Sequence, residues 1–131
     1  MSHTCQDIFK MVCAVLGEDA GNLSSDPVRR RLPELVNLAV SEVSALDCQY
    51  RMQVLSEAEV PSYPRVEALD DVLPVCERMI PLIVYHCSAL AVRDENALLS
   101  EFLYDNYVRA CGEAAALIPA TIGQTRDVYG G

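Results

Sequence analysis

Residues 27–46 read PVRRRLPELVNLAVSEVSAL, and the spacing of the apolar side chains in this stretch decides the fold. They recur at every third or fourth position, which is the period of one face of an α-helix. The apolar positions are Val28, Leu32, Leu35, Val36, Ala39, Val43 and Leu46. Asp26 followed by Pro27 is typical of a helix start. Because Pro33 has no backbone N–H, the helix either bends there or begins at Leu32.

Before this stretch, the sequence predicts a first helix over residues 4–16. Thr4 and Asp7 have the spacing of a capping pair, and apolar residues then recur at helical intervals up to Gly17. Residues 18–26 are rich in glycine, serine and acidic side chains, so we expect a loop there.

After the long helix the pattern changes, and residues 48–68 are expected to form a short strand or hairpin. Tyr50, Met52 and Val54 alternate with more polar neighbours, as in a half-buried strand. Pro61 and Pro64 then interrupt any longer regular element.

The C-terminal half predicts a pair of antiparallel helices. Asp70 and Asp71 precede an apolar segment over residues 72–92, which reads as one kinked helix or as two short helices meeting near Ile80. Asp94 has the position of an N-cap for a last helix over residues 95–115. The connection between the two is short, so we expect a helical hairpin.

These elements predict a mainly α fold, a small bundle of four to five helices with a short strand-like or hairpin insertion. Residues 1–118 form one domain, and residues 119–131 form an extended, turn-prone tail that ends in two glycines. A chain of 131 residues with half of its positions apolar can fill one modest core.

The charge excludes several classes of function. Nineteen acidic side chains against ten basic ones give a net charge of -9, which disfavours a surface that grips nucleic-acid phosphates or anionic lipid. The first residues have no basic segment of a secretory signal, so we expect synthesis in the cytosol. The longest apolar stretch, residues 79–92, is shorter than a membrane span.

The six cysteines are expected to be reduced and largely buried. They are Cys5, Cys13, Cys48, Cys76, Cys87 and Cys111, and no two have the spacing of a zinc site. His86 and Cys87 are adjacent and would point in different directions on a helix, so we predict no metal and no cofactor.

Motifs of enzymes are missing from the sequence. It has no glycine-rich nucleotide loop, no metalloprotease motif and no nucleophile elbow, and we predict no catalytic activity. His86 is expected to be a core imidazole bonded to a carbonyl. The aromatic residues Phe102, Tyr104 and Tyr107 are expected to pack in the core and the helical hairpin.

The residues predicted to bind a partner lie in two places. Arg29, Arg30 and Arg31 form the only basic cluster, and guanidinium groups suit planar contacts across protein interfaces. A solvated helix face and a phosphate contact are the alternatives for this cluster. In the tail, an aromatic side chain without a local core favours capture by another subunit. The tail residues are Ile122, Arg126, Val128 and Tyr129.

Four segments resemble the head-tail connector (adaptor) proteins of tailed bacteriophages. They are LDDVLP from Leu69 and PLIVYHCSALA from Pro81, followed by RDENA from Arg93 with FLYDNY from Phe102. The resemblance covers the order and spacing of elements over most of residues 4–115. The loop at 17–26, the two prolines at 61 and 64 and the six cysteines have no counterpart that we can assign to this family.

The resemblance implies a virion protein of the neck, without catalytic activity. Such proteins form a homo-oligomeric ring, typically of twelve copies, beneath the portal protein and join it to a stopper or tail protein, while DNA passes through the channel. The alternative from another class is a small cytosolic helical adaptor or regulator that binds a protein in a groove between its helices. An enzyme with a thiol nucleophile is the third alternative.

Overall fold

The computed structural model of the chain describes residues 2–17 and 27–119, in which four α-helices and no β-strand occur. The predicted mainly α bundle is confirmed. The elements in chain order are α1 (Cys5–Leu16), α2 (Pro27–Gln53), a short 3-10 turn (Glu77–Met79), α3 (Ile80–Val92) and α4 (Ala97–Ala116). Among the described residues, no helix is both long enough and apolar enough to cross a bilayer.

Helix α1 has the predicted start and end. The Thr4 hydroxyl accepts a hydrogen bond from the Asp7 N–H at 3.2 Å, and the Asp7 carboxylate accepts one from the Thr4 N–H at 2.9 Å. This reciprocal pair satisfies two donors that the first turn leaves free. At the other end Gly17 has φ 72°, a left-handed conformation that side chains disfavour, so the helix ends there.

Helix α2 is one continuous helix of 27 residues, and Pro33 lies inside it. The alternative start at Leu32 is therefore wrong. The predicted stripe faces the core, with Leu32, Val36 and Ala39 fully buried. Burial of this stripe outweighs the hydrogen bond that Pro33 cannot donate.

The strand or hairpin predicted within residues 48–68 is wrong. Residues 48–53 are the last turns of α2, and the following segment, 54–76, contains no regular element. The Asn37 side chain holds this segment on α2, because its Nδ2 donates to the Val66 carbonyl at 2.7 Å and its Oδ1 accepts from the Val66 N–H at 2.8 Å. Since an α2 side chain satisfies this backbone, the segment needs no partner strand.

The helix predicted from residue 72 begins later, at Ile80, after the 3-10 turn. A helix boundary near Ile80 is confirmed, but the first of the two short helices is absent. Residues 69–73 instead pass beside the start of α1, where the Leu73 N–H donates to the His3 carbonyl at 2.8 Å and the Cys5 N–H to the Asp71 carbonyl at 3.0 Å. The Asp71 carboxylate caps the preceding turn, not a helix, by accepting from the N–H groups of residues 67 and 68.

Helices α3 and α4 form the predicted antiparallel hairpin. The N-cap of α4 is Asn96 and not Asp94, since the Asn96 Oδ1 accepts from the Leu99 N–H at 3.0 Å. The Ser100 hydroxyl ties the two helices by donating to the Ala89 carbonyl at 2.7 Å. Helix α3 packs against α1, α2 and α4 and is buried along most of its length, so it forms the centre of the bundle.

Candidate interaction surfaces

The arginine cluster at the start of α2 divides into two parts. The Arg29 guanidinium lies 5.0 Å from the centre of the Phe9 ring and donates to the Gln6 side chain at 3.3 Å, which joins α2 to α1. Arg30 and Arg31 are exposed, and neither forms an ion pair within the described part of the chain. Arg30 and Arg31 thus lie at the surface, while Arg29 supports the fold.

The arginines begin an exposed surface that continues along α2. Arg31, Leu38 and Ala45 are seven residues apart, so they follow one another on the outer side of the helix. Leu38 is 54% exposed although it is a large apolar residue. We call this surface the α2 face and define it by Arg30, Arg31, Leu38 and Ala45.

Helix α4 exposes a second surface, which the sequence analysis did not predict. Leu98 is 80% exposed and Phe102 is 60% exposed, so the expectation that Phe102 packs in the core is wrong. The inner side of α4 is already occupied by Leu103, Tyr107 and Ala114, which leaves the other apolar side chains facing solvent. We define the α4 face by Leu98, Glu101, Phe102, Asp105 and Val108.

The two surfaces differ in the arrangement of their charges, since the exposed Glu34 and Glu42 accompany the arginines on α2. Glu101 and Asp105 are exposed on the α4 face next to its apolar side chains, and neither forms an ion pair with a described residue. Arg109 lies one turn beyond Asp105, so the acidic part of the face is its N-terminal half. The sequence could have indicated this face. The apolar residues of α4 occur on two sides of the helix, and packing in the bundle covers one of these sides.

His86 lies between α3 and α4 in a small aromatic cluster. Its ring centre is 4.9 Å from that of Tyr107, in an edge-on arrangement, and 6.4 Å from that of Tyr104. The imidazole Nδ1 has no hydrogen-bond partner among the described residues, so the predicted bond to a carbonyl is wrong. Burial lowers the pKa of His86, an effect that the nearby Glu42 partly opposes.

The same cluster does not have the properties of a catalytic thiol site. Burial raises the pKa of Cys111, and burial together with a hydrogen bond to Cys111 raises the pKa of Tyr107. A thiol that attacks a substrate needs a lowered pKa instead. We therefore interpret this cluster as packing between the helices, with Tyr107 buried and Tyr104 half exposed.

An apolar groove of about 340 Å³ lies between α1 and α3. Its walls include Met11 and Val15 from α1 and Ile80 and Val84 from α3. Val15 is 41% exposed, so an apolar side chain of a partner could reach it. An apolar groove of this kind can accept the apolar face of a helix.

Asp47 is a fully buried carboxylate that positions the irregular segment 54–76. It accepts hydrogen bonds from the Tyr63 hydroxyl at 2.7 Å, from the Cys76 N–H at 2.8 Å and from the Arg51 guanidinium at 3.4 Å. Arg51 also pairs with Glu57 at 2.9 Å. All three donors lie within the domain, and their hydrogen bonds account for the burial of the carboxylate. Asp47 therefore has a structural role.

None of the six cysteines, all of which lie within the described residues, forms a disulfide, and Cys5, Cys13 and Cys87 are buried. Burial raises the pKa of Cys5 to about 11, with a smaller contribution from the Asp71 carboxylate. Within residues 2–17 and 27–119, no cluster of three histidine, cysteine or acidic side chains could hold a metal ion.

The remaining predicted partner-binding residues, Ile122, Arg126, Val128 and Tyr129, lie outside the described residues. The described part exposes apolar side chains on the α2 face, on the α4 face and in the α1–α3 groove. No known protein family, curated protein or solved structure matches the chain.

Proposed function

We propose that the chain is a non-catalytic head-tail connector subunit of a tailed bacteriophage, which assembles into a ring, of about twelve copies, at the neck of the virion. The observation that carries this proposal is the presence, on one small domain, of two helical faces that expose large apolar side chains to solvent. Leu98 and Phe102 on α4, and Leu38 on α2, expose apolar area that a monomer would normally bury.

A closed ring of identical subunits needs two different faces on each subunit. In a cyclic assembly with more than two copies, one face of each copy meets the other face of its neighbour. The α2 face exposes Arg30 and Arg31 next to Glu34 and Glu42, whereas the α4 face exposes Glu101 and Asp105 ahead of Arg109. The two faces therefore carry different residues, as a head-to-tail contact requires.

The net charge supports a channel through which DNA passes without binding. Each copy has a charge of -9, and a ring multiplies this charge around its axis. The resulting field repels the phosphate backbone weakly at physiological ionic strength, because it is screened beyond about 8 Å. Adhesion of DNA to the channel would slow its passage, so an acidic ring suits this role.

The proposed partners are the portal protein above the ring and a stopper or tail protein below it. These proteins would bind to surfaces that are not used in the contacts between ring subunits. The candidates are the α1–α3 groove and the C-terminal residues 122–129. In this assignment the protein acts at the junction between capsid and tail, and it is incorporated into the virion.

Mass and shape test the proposal. We expect the purified chain, alone or mixed with the portal protein of the same genome, to give closed rings by negative-stain electron microscopy and a particle near twelve subunits by mass photometry. Double-stranded DNA should show no mobility shift with the chain at physiological salt. A chain that stays monomeric both alone and beside the portal would contradict the proposal, and so would tight DNA binding.

A second candidate function is a small helical adaptor that binds one partner protein. The apolar α1–α3 groove favours it, because Met11, Val15 and Val84 line a concave surface suited to a few apolar side chains. This adaptor would remain a monomer or dimer at every concentration, so the same mass measurement separates the two functions.

A further inference from the structure

We propose that the free chain pairs with a second copy of itself through α4, with the two α4 helices antiparallel around a two-fold axis. The contact is formed by the outer stripe of α4, which points away from the bundle. This dimer is a state of the subunit before assembly, so it goes beyond the proposed ring, whose head-to-tail contacts would replace it. The residues of the outer stripe follow one another at intervals of three or four and are Leu98, Phe102, Asp105, Arg109, Gly112 and Ala116.

The outer stripe is uncovered in the domain. All six of its residues are exposed, whereas the buried residues Leu103, Tyr107 and Ala114 lie on the opposite side of the helix. Leu98 is 80% exposed and Phe102 is 60% exposed, so two large apolar side chains face solvent one turn apart. Packing them against another helix removes this apolar surface from water, which is the main driving force of association.

The two ends of the outer stripe differ in size and fit each other in the antiparallel arrangement. The N-terminal end carries Leu98 and Phe102, and the C-terminal end carries Gly112 and Ala116. When Leu98 of one copy lies opposite Ala116 of the other, Phe102 lies opposite Gly112, because both pairs are centred on position 107. Large side chains therefore face small ones at both ends, and the two helices can approach closely.

Gly112 supports a close approach at this point. Glycine weakens the interior of a helix relative to alanine. Nothing in the described part of the chain requires it, because its backbone is not left-handed and a Cβ added there would have no atom within 4 Å beyond its own helix turn. The space beside Gly112 is where Phe102 of the second copy would lie. The proposed contact thus gives this glycine a role that the isolated domain does not.

The charges at the centre of the outer stripe are self-complementary. Asp105 and Arg109 are exposed, and neither forms an ion pair with a described residue, although they are one turn apart. In the antiparallel contact Asp105 of each copy lies opposite Arg109 of the other, so the two-fold axis produces two ion pairs.

The other acidic residues near the outer stripe do not oppose this pairing. Glu101 and Glu113 are exposed and twelve residues apart, so their side chains point about 120° apart around the helix. They therefore stand on opposite edges of the stripe. The two-fold axis leaves each edge on its own side, so Glu101 of one copy does not meet Glu113 of the other.

Other arrangements of two α4 helices pair the same charges less well. A parallel pair in register puts Asp105 against Asp105 and Arg109 against Arg109, and like charges at an interface repel. A parallel pair shifted by one turn joins Asp105 to Arg109 once instead of twice, and it brings Glu101 level with Asp105. An antiparallel pair centred on Asp105 opposes the two carboxylates, and one centred on Arg109 opposes the two guanidinium groups.

Charge variants of the full chain test the pairing. Self-association is measured by sedimentation velocity over a concentration series for the wild type, Asp105→Arg, Arg109→Asp and the double variant. Each single variant places two like-charge pairs in the contact, so we expect it to weaken association by about tenfold or more. The double variant has the composition of the wild type and should recover most of the loss. A parallel pair in register predicts no difference between the single variants and the wild type.

Two further measurements complete the charge test. An equimolar mixture of Asp105→Arg and Arg109→Asp should associate, although neither variant does so alone, because each supplies the charge that the other lacks. Glu59→Arg is the matched control, since it makes the same change of charge at an exposed position outside α4 and should associate like the wild type.

Gly112→Leu tests the fit of the two helices without changing a charge. Its side chain would point into open space and leucine favours a helix more than glycine, so the circular dichroism spectrum should be kept and the unfolding midpoint should not fall. Association should weaken by about tenfold or more, because leucine takes the place of Phe102 of the second copy. Ala45→Leu, at an exposed position of α2, is the control and should associate normally. Full association of Gly112→Leu would overturn the inference.

The outcomes separate this inference from the proposed ring. A free chain that stays monomeric at every concentration would overturn the inference, since the stripe would then be covered within the chain or by a different protein, while rings beside the portal protein would still support the connector function. Self-association that both single charge variants leave unchanged would overturn the α4 contact. A dimer with the expected charge recovery that never forms rings beside the portal would support the inference and contradict the proposed function.

Discussion

Asp47 is the residue on which the position of the irregular segment 54–76 depends. Its carboxylate is fully buried and accepts from Tyr63, Cys76 and Arg51, so it joins α2 to residues on both sides of that segment. Asp47→Ala leaves the Tyr63 hydroxyl and the Cys76 N–H without this partner. We expect the free energy of unfolding to fall by about 2–4 kcal/mol, measured by urea denaturation.

The matched control for Asp47 is Glu34, which pairs with Arg65 at the surface. The side chains of Glu34 and Arg65 are both more than half exposed, so Glu34→Ala should change the free energy of unfolding by less than about 0.5 kcal/mol. Equal effects of the two substitutions would show that the buried hydrogen bonds of Asp47 do not hold the segment.

Because His86 is buried, we expect the free energy of unfolding to decrease in mild acid. Burial lowers its pKa in the folded protein, whereas the unfolded chain titrates near the ordinary value of about 6.5. Below that pH the unfolded chain binds a proton that the folded protein does not, so the free energy of unfolding decreases as the pH falls. The free energy of unfolding should therefore be lower at pH 5.5 than at pH 7.5.

The measurement for His86 is urea denaturation at both pH values, for the wild type and for His86→Leu. The variant should lack the extra decrease, since the groups that face His86 are Glu42, Tyr104 and Tyr107 and none of them replaces its proton. His3→Gln is the control and should retain the decrease. A variant with the same pH dependence as the wild type would contradict this role of His86.

At the scale of helices, the sequence predicted an element correctly where the spacing of its apolar residues fits one secondary structure. Where the spacing fits two, the prediction failed. The stripe of α2 is one-sided, so the sequence alone locates its buried face. The alternation of Tyr50 and Met52 fits either a strand or a half-buried helix end, and the structure selects the helix because Asp47 and Arg51 pair across one turn of it. Asn96 and Asp94 are both good caps, and only the hydrogen bond to Leu99 distinguishes them.

The exposed surfaces were harder to predict than the helices, because the spacing of apolar residues fits more than one packing arrangement. Phe102 follows the helical spacing of α4, but the spacing does not tell which side of the helix meets another element. The contact between Arg29 and Phe9 could not be predicted from the sequence, because the two residues are far apart in the chain and lie on different helices. Exposure of Leu98 and Phe102 is thus a property of the assembled bundle.

Pro33 gives a prediction for the stability of α2. It lies inside the helix, where it removes the hydrogen bond to the carbonyl of Arg29 and crowds the preceding turn. Pro33→Ala should therefore raise the free energy of unfolding by about 1–3 kcal/mol, measured by thermal and urea denaturation. A decrease would show that the ring of Pro33 stabilises the fold through packing by more than the missing hydrogen bond costs. The control is Pro81→Ala, because Pro81 lies at the start of α3, where proline is tolerated.

At the scale of the whole molecule, the core and the proposed contacts use different residues. The buried core is formed by α1, α2, α3, the inner side of α4 and two anchors of the irregular segment, Val66 and Leu73. The α2 face and the α4 face contribute nothing to it. Substitutions on these faces should therefore change association without changing folding, which makes the two properties separable by experiment.

Removal of residues 122–131 separates folding from assembly in a second way. The last buried residue of the described core is Ala114, and α4 ends at Ala116, so the truncated chain should unfold with an unchanged midpoint. Assembly should weaken, because the sequence of this segment offers Ile122, Val128 and Tyr129 to another subunit or to the portal. The double variant Val128→Ser with Tyr129→Ser keeps the length and should reproduce the assembly defect in mass photometry. If truncation instead abolishes the cooperative unfolding transition, the segment belongs to the core, and its assignment as an assembly element is wrong.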